Sequence, residues 1–220
     1  MTRTRLLKVS ALAAAAALLS GCGVHPGAAA VVGGQKISAS RVDAVATAYC
    51  SAQGPGAVSR RARSVVLYGL INAEIWKQFG AKVGISANQG VVEKQLAAVD
   101  QQLAQMPADQ RADFRDALHD IFSGDAIENA VLARYFAGQG VSNPQAPQAA
   151  AAAAALRGQF LKTVKVDVDP RFGTFSPTKS ALGSDGGSLS VPASSFALDG
   201  GQATPSQSWV SALPASQKCG

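Results

Sequence analysis

The stretch VKVDVDPRFGTF, residues 164–175, decides how the rest of the chain is read. Val164, Val166 and Val168 alternate with Lys165, Asp167 and Asp169, which is the period-two pattern of a half-buried strand. Pro170 ends it, because proline has no N–H to give to a ladder. A strand needs a partner for its backbone groups. The natural one lies far earlier, in AAVVGGQKISASRVD, residues 29–43. There Val31-Val32 and Lys36-Ile37 flank Gly33-Gly34, which predicts a short strand or tight hairpin. Pairing these two segments closes the start of the domain onto its end and gives a small two-stranded sheet.

Everything between the two reads as helix. Ser38 or Ser40 offers an N-cap, followed by Val42, Val45, Ala46 and Tyr49 at helical spacing up to Cys50. Residues 59–79 carry Val65, Tyr68, Ile71, Ile75 and Phe79 on one face, widened by Leu67, Leu70 and Trp76. So wide a face predicts the central helix. Ser86 with Gln89 fits a capping box, ahead of a narrow stripe of Val92, Leu96, Val99, Leu103 and Met106. Pro107 and Asp109 open a fourth helix with Phe114, Leu118, Ile121 and Phe122 on one face, and Gly124 is expected to break or bend it before a fifth stretch at Ile127–Phe136. The alanine run from Ala149 into Leu156 and Phe160 makes a sixth, since alanine has the best intrinsic helix propensity. The expected fold is mainly α: a bundle of about six helices joined by the small sheet. From Ser176 onward Ser, Gly, Pro and Ala dominate, and most of 177–208 is expected to be disordered or loosely attached.

The N-terminus has a different composition. Arg3, Arg5 and Lys8 precede an apolar run that is too short to cross a bilayer as a permanent helix. The run ends in Leu19-Ser20-Gly21-Cys22, which is similar to the bacterial lipobox and marks residues 1–21 as a lipoprotein signal peptide. The alternative is an ordinary signal peptide that happens to contain Cys22. In the lipoprotein reading Cys22 becomes the acylated N-terminus, and residues 22–30 form a tether to the extracytoplasmic face of the cell membrane. Two or three acyl chains are enough for stable anchoring. Of 20 basic residues, the signal holds three, so the remainder is 17 basic against 14 acidic, a net of +3. That balance does not suggest a nucleic-acid partner. Once Cys22 is assigned to lipid, Cys50 and Cys219 remain. In an exported chain an even remainder favours a disulfide between them, with two free thiols as the alternative.

The opening and closing segments together resemble the SurA-type and PrsA-type extracytoplasmic chaperones. In that family a strand leads through a Ser or Thr cap into a helical bundle, which a closing strand ends with an Asp/Asn-Pro-Arg-aromatic-Gly-Thr/Ser-aromatic motif. The resemblance covers residues 31–175 and implies a SurA N-terminal-like domain, with 176–220 as a flexible tail ending in a Cys-anchored segment. Many members carry a parvulin prolyl-isomerase domain before the closing strand. Here the last helix runs directly into it, so isomerase activity is not carried over. What the resemblance implies is binding of unfolded or extended polypeptides; the alternative is a structural lipoprotein that binds a single envelope protein.

No catalytic constellation stands out: there is no G-x-S-x-G, P-loop, G-x-G-x-x-G or H-E-x-x-H. The expectation is a non-enzyme without cofactor or metal. Of the two histidines, His25 falls in the tether, and His119 stands one helical turn from Asp116. A metal could bridge that pair, but two groups without a third ligand read more simply as a solvated helix face. Arg60, Arg61 and Arg63 form the one dense basic cluster, suited to contact with a client or with anionic lipid, or else a solvated helix end. Trp76, Phe79, Phe114 and Phe122 would either line a client groove or fill the core.

Overall fold

The computed structural model describes residues 26–53, 59–178, 182–183, 193–202 and 205–219. Three strands, β1 (Ala28–Val32), β2 (Gln35–Ser38) and β3 (Val166–Val168), form an antiparallel sheet in the order β2-β1-β3. The expected pairing of the two ends of the domain is present, with Val31 opposite Asp167 and Val32 opposite Val166. The sheet has three strands rather than two, because Gly33-Gly34 turns the chain back onto β1 as β2. Both glycines have positive φ, 54° and 89°, the conformation a two-residue hairpin loop requires at both positions. β1 is the middle strand and is buried along its whole length.

Five long helices follow in the described chain: α1 (Ala39–Gln53), α2 (Ser59–Val83), α3 (Gln89–Leu103), α4 (Ala108–Ala137) and α5 (Ala146–Phe160). Two short ones, α6 (Ser195–Gly200) and α7 (Gln207–Ala212), lie in the region expected to be loose. Each short helix starts on a serine cap, Ser194 for α6 and Ser206 for α7, which satisfies an otherwise orphaned N–H. Ser38 does the same for α1, accepting from Arg41 N at 3.2 Å.

α2 is the central helix, as its wide apolar face predicts. It packs against α1, α4, α5 and β1, and Leu67, Ile71, Ile75 and Trp76 on it are fully buried. The face is rotated from the expected one, however: Val66 is buried and Val65 is exposed. Gly124 does not break the next helix; α4 runs unbroken for 30 residues. A Cβ at Gly124 would sit 2.5 Å from the Cα of Ala73. The glycine therefore lets α2 and α4 approach closely at Ala73, and the packing this allows offsets its propensity cost of about 1 kcal/mol. The expected capping box at Ser86 is also displaced. Gly84, at φ 71°, and the bond from Ile85 N to Gly80 O carry the chain past it, and Asn88 is the residue that caps α3 by accepting from Val91 N. At the far end of α3, Arg111 donates to the carbonyls of Leu103, Ala104 and Met106, acceptors that a helix end leaves without intrahelical partners.

Candidate functional site

The helices and sheet together build a polar concavity beside β2. It is a cleft of about 90 Å³, bounded by Gln35–Ile37 of β2, Arg41 of α1, Glu74 and Lys77 of α2 and Asp120 of α4, with Leu70 and Ala73 beneath. Arg41 Nη2 donates to Asp116 Oδ2 and Asp120 Oδ2, each at 2.7 Å, and Lys77 Nζ donates to Asp120 Oδ1. Burial alone would push the Asp120 carboxyl up, but the hydrogen bonds from Lys77 and Arg41, with their charges, outweigh it and hold the group below the ordinary carboxylate range. Gln78 Nε2 bridges Val32 O at 2.7 Å and Glu74 Oε1 at 2.8 Å, fixing the hairpin to α2.

The register fixes which backbone groups of β2 face the open side. Gly33 N donates to Lys165 O, and Asp169 N donates to Ala29 O. Ala29, Val31 and Gly33 therefore turn their main-chain groups toward β3, and Ala30 and Val32 turn theirs toward β2. Their β2 partners, Ile37 and Gln35, are thus the hydrogen-bonded ones. Lys36, opposite Val31, directs its N–H and C=O away from the sheet at the rim of the cleft. An edge of this kind is a template for another extended chain.

A second polar cluster ties α5 to the body. Arg157 is only 9% exposed, and its guanidinium donates to Tyr68 Oη at 2.8 Å, Asn72 Oδ1 at 3.0 Å and Pro177 O at 3.2 Å. Tyr68, Asn72 and Trp76 recur at every fourth residue, so α2 presents them as one stripe. Burial pushes the carboxyls of Asp125 and Glu128 on the facing helix up; the charge of Asp125 adds to the effect on Glu128, while the Arg157 charge and the Trp76 indole oppose it.

Of the residues singled out by sequence, Cys50 and Cys219 are joined by a disulfide with Cα atoms 4.9 Å apart. Both are buried. Cys22 and His25 lie outside the described residues, as does the side chain of Arg60. Arg61 and Arg63 do not share one ligand-facing surface: Arg61 donates to Gln202 O at 3.3 Å, and Arg63 pairs with Asp43 at 2.7 Å. Asp116 and His119 are likewise drawn apart, the first to Arg41 and the second to Gln89. Trp76 and Phe114 are core residues; Phe79 and Phe122 are half-buried, and Phe79 stacks between Trp76 and Phe160. Sequence spacing could not have found the cleft, since Arg41 and Asp120 are 79 residues apart and become neighbours only through the packing of α1 on α4. Compared with known proteins, the chain matches no family model, no curated protein and no solved structure.

Proposed function

We propose that this is a lipid-anchored extracytoplasmic protein of the SurA-like kind that binds unfolded or extended polypeptides and lacks prolyl-isomerase activity. One observation carries the reading: the outward-facing backbone of Lys36 on β2, at the rim of a cleft that offers fixed donors from Arg41 and Lys77 and acceptors from Glu74 and Asp120. An extended client adds to β2 by main-chain hydrogen bonds, so binding tolerates many sequences. The cleft groups then receive its polar side chains. This differs from a groove lined by Trp76 and Phe114, which are occupied in the core.

The test is fluorescence anisotropy of labelled extended peptides against the mature protein and its Lys36→Pro variant. Proline at this position removes the outward N–H and leaves the β1–β2 ladder donors in place. Binding that falls at least tenfold with an unchanged melting temperature supports strand addition. Equal binding by both proteins, or none by either, defeats it. The burial of Trp76 and Phe114 also favours a second reading, a structural lipoprotein with one folded envelope partner. Crosslinking in cells separates the two, since one dominant adduct supports the partner and a broad set of adducts supports client binding.

A further inference from the structure

The charges around the β2 cleft are not all answered from within the protein. Arg41 pairs with Asp116 and with one oxygen of Asp120, and Lys77 takes the other oxygen of Asp120. Two cations and two carboxylates thus form a closed network on one side of the cleft. Glu74 lines the same cleft and stands outside that network. Lys77, one turn further along α2, is turned away from it to Asp120. Among the described residues no ion pair reaches Glu74. Its hydrogen bond comes from a neutral group, Gln78 Nε2, which donates to Oε1 at 2.8 Å. The same Nε2 donates to Val32 O at 2.7 Å, so the Glu74 carboxylate is tied to the hairpin by one oxygen, and Oε2 is left for a ligand.

Lys36 gives the cleft its main chain rather than its charge. Side chains alternate across a strand, so Lys36 points to the face opposite buried Ile37, and its ammonium donates to Pro26 O at 2.8 Å. Pro26 lies ahead of the first residue of β1, whereas Gln78 holds Glu74 near Val32, the last. The Lys36 charge and the Glu74 charge are therefore at opposite ends of the hairpin. Between the outward main chain of β2 and Glu74 the cleft has buried apolar groups, Ile37, Leu70 and Ala73.

We propose that this cleft is a subsite for a basic side chain, so that the clients favoured at β2 are extended segments carrying a lysine or arginine. The inference deepens the strand-addition reading and rests on it. The client main chain pairs with Lys36. Its methylene stem lies over Leu70 and Ala73, and its cationic head meets Glu74 Oε2, the division between stem and head that long basic side chains make elsewhere. A neutral apolar side chain would cover Glu74 without giving it a partner, which costs free energy. An acidic one would meet a like charge at Glu74 and would have to displace Asp120 from Arg41 or Lys77.

The test uses three labelled extended peptides that differ at one central position: lysine, norleucine or glutamate. Anisotropy with the mature protein should rank lysine first, about fivefold tighter than norleucine, and glutamate last, with the gap narrowing as salt is raised. Glu74→Gln is the discriminating variant, because its side-chain carbonyl still accepts from Gln78. It should keep the norleucine affinity and the melting temperature and lose the lysine preference. Equal affinities for lysine and norleucine overturn the proposal, as does a preference for glutamate or a lysine preference that survives Glu74→Gln. Free lysine amide that competes as well as the peptide marks a small-cation pocket and overturns it too. Lys36→Pro keeps the two readings apart. Peptides that lose binding there, yet show no preference for lysine, leave strand addition standing and sink only the subsite. Failure of all three peptides to bind sinks both.

Discussion

The helical body and the C-terminal segment are held by different means. In the body α2 is surrounded: α1, α4, α5 and β1 all pack on it, and its Leu67, Ile71, Ile75 and Trp76 are out of contact with water. The C-terminal segment adds two six-residue helices that bury Val210 and Leu213 but leave Phe196 and Leu198 in solvent. Helices that short do not persist on propensity alone. What fixes the segment is covalent, the Cys50–Cys219 bond to the end of α1, helped by the Arg61 contact to Gln202. The body is stable through burial, and the segment through a crosslink that limits how far it can stray.

The sharpest way to break this contrast is to truncate one tryptophan in each region. Trp76→Ala is expected to destabilise the protein by about 3–5 kcal/mol through the cavity it leaves; Trp209→Ala should cost under about 1 kcal/mol. Denaturant melts read both, and comparable losses would mean that the segment belongs to the body's cooperative unit. Cys219→Ser comes next. The bond closes a loop with a sequence separation of 169, for which chain-entropy reasoning allows up to about 5 kcal/mol and experience suggests about 2–4. The distinctive expectation is spatial. Hydrogen exchange should rise in α6 and α7 and stay slow in α2, and uniform loss of protection would show that the bond supports the body instead.

The smallest expected effect is a pH dependence within the body itself. Asp120 has a depressed folded pKa, so its contribution is present above the unfolded value and lost as pH falls through the folded one, below about pH 4. Asp125 and Glu128 have raised folded values. Their contribution is present below the unfolded value and declines as pH rises through the folded one. Glu128→Gln should therefore stabilise the protein by roughly 0.5 kcal/mol at pH 7 and by nothing near pH 3. Urea midpoints at the two pH values check the sign, and a gain at acid pH would reverse the assignment.

The body was legible in sequence where one force dominated. Alternation at Val164, Val166 and Val168 marked the closing strand, and the wide face of residues 59–79 marked the central helix; both are present. Legibility failed where two effects competed. Gly124 reads as a helix breaker by propensity, but its missing side chain is what admits Ala73, and packing outweighs propensity there. The tail reads as loose because Ser, Gly, Pro and Ala dominate it, yet Ser194 and Ser206 cap two short helices there; its anchor at Cys219, by contrast, followed from the cysteine count. The Arg41–Asp120 cleft and the Arg157 cluster had no local signature at all. Arg41 meets Asp116 and Asp120 across 75 and 79 residues, and Arg157 meets Tyr68 across 89.

The position of β1 in the middle of the sheet has a consequence in time. Ribosomes deliver the N-terminus first. β1 and β2 can pair as soon as Gly33-Gly34 has emerged, but the opposite edge of β1 must wait for residues 166–168. Until then a wholly apolar strand, Ala28–Val32, stands half-zipped, the kind of species that invites pairing with a neighbour. Completion of the sheet is thus a checkpoint on how much chain has arrived. Cys219 lies further along still, at a sequence separation of 169 from Cys50, so the covalent tie can form only after the residues that complete the sheet have also emerged.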